Sequence, residues 1–215
     1  MPLILMCGAP ASGKTSRALA LAAHLRDAEG ATVHLVDEAS CQLEKAAGYR
    51  DSTAEKITRA SLKASVERLL NAQHVVIVDS LNYIKGYRYE LYCIARSVGT
   101  THCVVFCEKA PEQAAADNAA REGGFEPSVA AELQARFEEP RETQRWDSPL
   151  FTLLRESALP AAAVADALLR GKKLQPNMAT ASAAPRATDL LYELDRITKA
   201  VENSLVPQLG SAMAV

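Results

Sequence analysis

Gly8-Ala9-Pro10-Ala11-Ser12-Gly13-Lys14-Thr15 carries the spacing G-x-x-x-x-G-K-[ST]. The apolar run Leu3-Ile4-Leu5-Met6-Cys7 precedes it, and Leu19, Leu21, Ala22 and Leu25 follow at helical spacing. The order strand, glycine-rich loop, helix is that of a phosphate cradle, the P-loop or Walker A element. Gly8 and Gly13 permit backbone angles that a Cβ would block. Successive N–H groups can then turn inward toward an anion, and the helix N-terminus adds unpaired donors and the positive end of its dipole. In such a cradle Gly8, Ala9, Pro10, Ala11, Ser12, Gly13, Lys14, Thr15 and Ser16 bind the nucleotide phosphates, Lys14 reaches the β- and γ-phosphates, and the Thr15 hydroxyl ligates Mg²⁺. A chance glycine-rich turn is the bland alternative, and the flanking strand and helix argue against it.

The 215 residues suffice for one α/β domain with a tail or for two small domains, and 48% hydrophobic residues can build a core. A net charge of -2 excludes a global basic footprint, so any nucleic-acid contact must be local. The five cysteines show no paired spacing; Cys7, Cys103 and Cys107 lie in strand-like runs and read as buried thiols in a reducing compartment. Cys103 and Cys107 share a strand face while His102 points to the other, which leaves a metal site short of ligands. No signal peptide and no stretch of membrane-span length is visible, so the expected location is cytoplasm or nucleus, with no membrane partner.

Thr32-Val33-His34-Leu35-Val36 reads as a second strand ending in Asp37-Glu38. Ligands sit at the carboxyl ends of strands in a parallel α/β sheet, which places Asp37, and less strongly Glu38, near the chemistry. Turn capping is the alternative for Asp37. Residues 39–51 look polar and irregular. Ser52-Thr53-Ala54-Glu55 is a capping-box pattern opening a helix, with Ile57, Leu62, Val66, Leu69 and Leu70 expected on its inner side. His74-Val75-Val76-Ile77-Val78-Asp79-Ser80 is an apolar run ending in an acid, the Walker B pattern, so Asp79 is expected to hold Mg²⁺ directly or through water.

Four of the six tyrosines crowd into residues 81–92, together with Asn82, Lys85 and Arg88. Tyrosine and arginine can stack on bases and hold phosphates, so these three residues are expected at a substrate or tRNA contact, whereas Tyr89 and Tyr92 are expected in the core of a helix from Gly86. Residues 101–107 read as a fourth strand. Residues 110–121 form a helix carrying Asn118 and Arg121, and a second helix follows from Ser128 to about Phe137. The segment 136–147 holds Arg136, Arg141, Arg145 and the single tryptophan, Trp146. A helix pair closed by arginines lids the nucleotide in nucleoside-monophosphate-type kinases, and arginine can neutralise charge on a transferred phosphoryl group. Surface pairing with Glu138, Glu139 and Glu142 is the bland alternative. Residues 148–154 read as a last strand. The expected fold is thus an α/β P-loop NTPase: three layers, a parallel sheet, a helical lid and a short C-terminal helical extension.

Composition changes near residue 160. Residues 1–158 form the P-loop ATPase domain, 159–186 an alanine-rich helix and linker, and 187–206 an amphipathic helix with Leu190, Leu194, Ile197, Val201 and Leu205 on one face.

The stretches MPLILMCGAPASGKT, DSLNYIKGYRYELYC, RFEEP and RWDSPLF carry a resemblance. Over about residues 1–155 the chain resembles the Elongator-associated family named for killer-toxin insensitivity, number twelve, and more distantly O-phosphoseryl-tRNA kinase. The resemblance implies a P-loop ATPase that supports wobble-uridine modification of tRNA by Elongator, with ATP and Mg²⁺ as cofactors and tRNA-dependent turnover. It implies that Lys14 and Thr15 bind phosphates and Mg²⁺, Asp79 holds Mg²⁺, Asp37 is the acid near the γ-phosphate, and Arg136 and Arg145 are lid arginines. Asn82, Lys85, Arg88, Arg121 and Arg141 are the expected substrate or tRNA contacts, and the helix at 187–206 would begin a tRNA-binding region. Two other readings use the same residues: a kinase passing the γ-phosphate to an aminoacyl-tRNA or small hydroxyl with Asp37 as base, and a nucleotide-gated adaptor for Elongator in which hydrolysis is incidental.

Overall fold

In the computed structural model the described residues are 2–70, 73–175 and 194–200. Five strands, β1 (Leu3–Cys7), β2 (Thr32–Val36), β3 (His74–Asp79), β4 (His102–Cys107) and β5 (Leu150–Leu153), form one sheet in the order β2-β3-β1-β4-β5. Every pairing is parallel. The register sets Met6 of β1 opposite Asp79 of β3, so the glycine-rich loop and the acid leave the sheet side by side at its carboxyl edge.

The strands are apolar on both faces because both are covered. On one face Ile4 and Met6 pack with Val75, Ile77, Cys103, Val105 and Cys107 under α1 (Lys14–Asp27) and α7 (Ala161–Leu169). On the other, Leu3, Leu5 and Cys7 pack with Val76, Val78 and Val104 under α3 (Ser52–Leu69) and α4 (Lys85–Val98). The alternation along β1 is the period of two of an extended strand. Cys103 and Cys107 do share a face, and burial pushes the Cys7 thiol up to about 12. A third apolar cluster of Tyr49, Leu81, Tyr83, Phe125 and Leu133 lies beneath α5 (Pro111–Ala120) and α6 (Pro127–Ala135). A single helical turn, α2 (Lys45–Gly48), lies inside the stretch expected to be irregular.

Several local expectations are corrected. The N-cap of α3 is Asp51, whose carboxylate accepts from the Thr53 and Ala54 N–H groups at 2.9 and 2.8 Å; Ser52 is already helical. Ile57 is 55% exposed, and the buried face of α3 is Glu55, Thr58, Leu62 and Val66. In α4 the buried tyrosines are Tyr87 and Tyr92, while Tyr89 is exposed. α7 packs its Val164, Ala165 and Leu168 into the core beneath the sheet, so it is part of the main body. Compact units run from Met1 to Asn177 and from Met178 to Val215. In the second, residues 194–200 are helical with Leu194 and Ile197 exposed; Leu190, Val201 and Leu205 lie outside the described residues. No helix among the described residues is long and apolar enough to cross a membrane.

Candidate phosphate-binding site

The loop turns where β1 meets α1 because two positions tolerate what other residues do not. Gly8 has φ +151°, and a Cβ there would lie 2.6 Å from both the Cys107 carbonyl oxygen and Ser12 Oγ. Gly13, the N-cap of α1, is left-handed at φ 86°. The loop is braced from outside by two cations. Arg17 donates to Ser12 O at 3.1 Å and to the Leu154 and Arg155 carbonyls at 2.6 and 3.0 Å; Lys109 donates to Ala11 O at 2.7 Å and pairs with Asp117.

Lys14 is buried and folds back over the loop. Its ammonium donates to Gly8 O at 2.9 Å, Ala9 O at 2.7 Å and Ser12 Oγ at 3.4 Å. Burial pulls its pKa down to about 8, the Lys45 ammonium adds to the fall, and Asp79 opposes it. Asp79, 1% exposed, ends β3 with Oδ1 lacking any hydrogen-bond partner. Burial raises its pKa and the Thr15 hydroxyl beside it draws it back down. A buried orphaned carboxylate oxygen next to a hydroxyl suits a hard cation that takes few protein ligands and completes its shell with water and phosphate, as Mg²⁺ does. Among the described residues no three His, Cys, Asp or Glu side chains gather as a metal cluster.

Of the two acids that follow β2, Glu38 is the buried one. Asp37 Oδ1 accepts from the Ser40 N–H at 2.8 Å and so caps its own turn. Glu38 is 2% exposed; its Oε1 accepts from Ser80 Oγ at 2.6 Å and Tyr49 OH at 2.9 Å, and Lys45 Nζ lies 3.7 Å from Oε2. The Tyr49 ring meets Phe125 edge-on at 5.7 Å, joining this network to the loop between α5 and α6. That loop is clipped by Asn118, whose side chain bonds the Phe125 carbonyl and N–H at 2.7 and 2.9 Å.

A cavity of about 340 Å³ opens over the loop, lined by residues 10–16 with Lys45, Leu81, Asp117, Arg121 and Phe125. Arg121, at the end of α5, is the arginine among the described residues lining this cavity. Arg136 is held elsewhere: it donates to Glu55 Oε2 at 2.9 Å and lies 5.6 Å from the Tyr83 ring centroid, closing the end of α6 onto α3. Arg145 is exposed, outside the cavity lining.

Two expected RNA contacts are structural. Arg88 is fully buried, donating to Asp147 Oδ1 at 2.7 Å and Oδ2 at 3.3 Å and to the Asn82 and Glu138 carbonyls at 3.0 and 2.8 Å. Asn82 is 3% exposed and donates to Met6 O and Val78 O, stitching β1 to β3. Arg141 gives its backbone N–H to Asp147 and keeps its side chain exposed. Lys85 is exposed and stands 5.4 Å from the Trp146 ring centroid, so it alone of the tyrosine-rich trio faces outward. Lys45 and Tyr49 are the part of the site that the linear pattern hid, because they meet Glu38 only when the segment of α2 folds back toward the end of β2.

A family model described as Chromatin associated protein KTI12 matches residues 1–215. The protein KTI12 homolog of Danio rerio is 43% identical over 203 residues, covering 94% of this chain and 74% of that protein. A crystal structure of Chaetomium thermophilum Kti12 in complex with ADP-AlF3 is similar at a TM-score of 0.65 and 37% identity, covering 76% of this chain and 94% of that one. A gluconokinase from Sinorhizobium meliloti 1021, 20% identical, shares the fold at a TM-score of 0.52 over 78% of this chain and 90% of its own.

Proposed function

The chain belongs to the KTI12 family, and from that premise we propose that it is a P-loop ATPase that binds ATP with Mg²⁺ and serves Elongator in the wobble-uridine modification of tRNA. The observation that carries the ATPase part is Lys14, folded onto its own loop carbonyls in a cavity lined by loop residues, with the orphaned oxygen of the buried Asp79 close enough to act on its charge. The Chaetomium thermophilum relative was crystallised with ADP-AlF3, which supports a nucleotide in the corresponding place. The Elongator and tRNA parts rest on the family resemblance.

The residues divide the work. The loop N–H groups and Lys14 take the phosphates, the ammonium exchanging two carbonyls for anionic oxygens. Thr15 and Asp79 would hold Mg²⁺, whose charge, when bound, offsets that of the β- and γ-phosphate oxygens. Arg121 is the arginine among the described lining residues and is available to negative charge on the bound phosphates. Asp117, the carboxylate among the described lining residues, pairs with Lys109; Glu38 accepts two hydroxyls, Asp37 caps its turn, and Asp79 would be taken by the cation. With no uncommitted carboxylate among the described lining residues to take a proton from an acceptor hydroxyl, the geometry favours slow hydrolysis over efficient transfer.

The test is turnover of ATP labelled at the γ-phosphate, with and without bulk tRNA. The expected result is weak release of inorganic phosphate that tRNA accelerates. Label on the RNA would replace this reading by the kinase one, and indifference to tRNA would remove the RNA part of the proposal.

A further inference from the structure

We propose that Lys45 is the residue that distinguishes a nucleoside triphosphate from a diphosphate at this site, by leaving Glu38 to meet the γ-phosphate. The inference rests on the reading of the cavity as an ATP site.

Four observations place it there. Lys45 opens α2 and lines the same cavity as the glycine-rich loop. Its ammonium stands 3.7 Å from Glu38 Oε2, outside hydrogen-bond range, and its side chain keeps 30% exposure, so little holds it against the acid. Glu38 is satisfied by the Tyr49 and Ser80 hydroxyls through Oε1, which keeps that carboxylate in place whether or not Lys45 stays. The helical turn that carries Lys45 is pinned: Glu44 caps it by accepting from the Ala47 N–H, and the Thr58 hydroxyl donates to Gly48 O at 3.1 Å.

The strand order says which phosphate it would meet. Glu38 and Asp79 end β2 and β3, on one side of β1, whereas α5 with Arg121 follows β4 on the other. Thr15 and Asp79 would hold the cation that offsets charge on the β- and γ-phosphates, and that would set the γ-phosphate toward the β2–β3 side, where Lys45 stands. Lys14 and the loop donors suffice for a diphosphate, and Lys45 adds a second ammonium where only a triphosphate brings further negative charge. A lysine serving only to neutralise Glu38 would affect both nucleotides alike.

Equilibrium titration of the full chain with ATP and with ADP, each with Mg²⁺, separates these cases. Lys45→Met is expected to weaken ATP binding about tenfold or more while ADP binding stays within roughly twofold, the loss of one charge-assisted contact. Lys45→Arg should restore most of the preference. Equal weakening of both nucleotides, or no effect on either, overturns the inference while leaving the ATP site standing. Failure of the wild-type chain to bind either nucleotide overturns the ATP site, and the inference with it. The half-exposed position makes unfolding by Lys45→Met a minor concern, and an unchanged thermal midpoint confirms that the variant is folded.

Discussion

At the residue scale the site is a matter of charges kept waiting. Asp79 Oδ1 lacks a partner in a buried position, a cost a protein accepts where something else completes the shell. Asp79→Asn should therefore leave ATP binding nearly indifferent to Mg²⁺, whereas the wild type gains affinity on adding it; a variant that keeps the full magnesium response would contradict the assignment. His102 gives a pH-linked prediction. Burial lowers its pKa from 6.5 to about 4, with Asp147 opposing, so between those values it takes up a proton only on unfolding. Stability contributed by the neutral ring is whole above pH 6.5 and is lost as pH falls toward 4, at up to about 1.4 kcal/mol per pH unit. Urea midpoints at pH 7 and pH 5 should differ less in His102→Gln than in the wild type. At this scale the sequence was readable where chemistry is local: residues 8–16 and Asp79 stand where their patterns put them. It was misread where neighbours in sequence compete. Asp37 and Glu38 are adjacent acids at a strand end, and only the fold of the next turn tells which one is capped and which is buried.

At the element scale the pairing that matters most is Arg88 of α4 with Asp147, 59 residues away. Basic and aromatic neighbours made Arg88 look like a nucleic-acid contact, since no short-range signal names its partner. Its guanidinium holds two backbone carbonyls and one carboxylate together, fastening the segment around Glu138 and Asp147 to the start of α4. Arg88→Met should destabilise the chain by about 3–5 kcal/mol, because it leaves a buried carboxylate whose remaining donor is the Arg141 N–H. A denaturation midpoint within error of the wild type would show that the pair is idle. The start of α3 allows a finer check. Asp51→Ala should cost about 1 kcal/mol through loss of the cap, and Ser52→Ala much less; the reverse order would restore the capping box centred on Ser52. The helices themselves were legible from apolar periodicity. Leu62, Val66 and Leu70 of the expected inner side of α3 are buried, whereas Glu55 and Arg88 were not legible as inner residues, because distant partners hold these charged side chains inside.

At the scale of the whole molecule the architecture is a parallel sheet with its strands apolar on both faces, and that doubly buried pattern is what made the fold class readable from the runs at 3–7, 74–79 and 102–107. Domain limits were harder, because composition changes near residue 160 while Val164 and Leu168 of the alanine-rich helix α7 beyond it are core residues. A chain ended after residue 177 should keep the wild-type thermal midpoint within a few degrees, since both sheet faces and the third apolar cluster lie within residues 1–177; a collapse of that midpoint would mean that residues 178–215 complete the core. All of this places one loop, one lysine and one acid at the carboxyl edge of the sheet. The most direct measurement is steady-state ATP hydrolysis by the wild-type chain and by Lys14→Ala under the same Mg²⁺ and tRNA. The account predicts phosphate release by the wild type and a fall to background in the variant, with the variant still folded. Near-normal turnover by Lys14→Ala would contradict it.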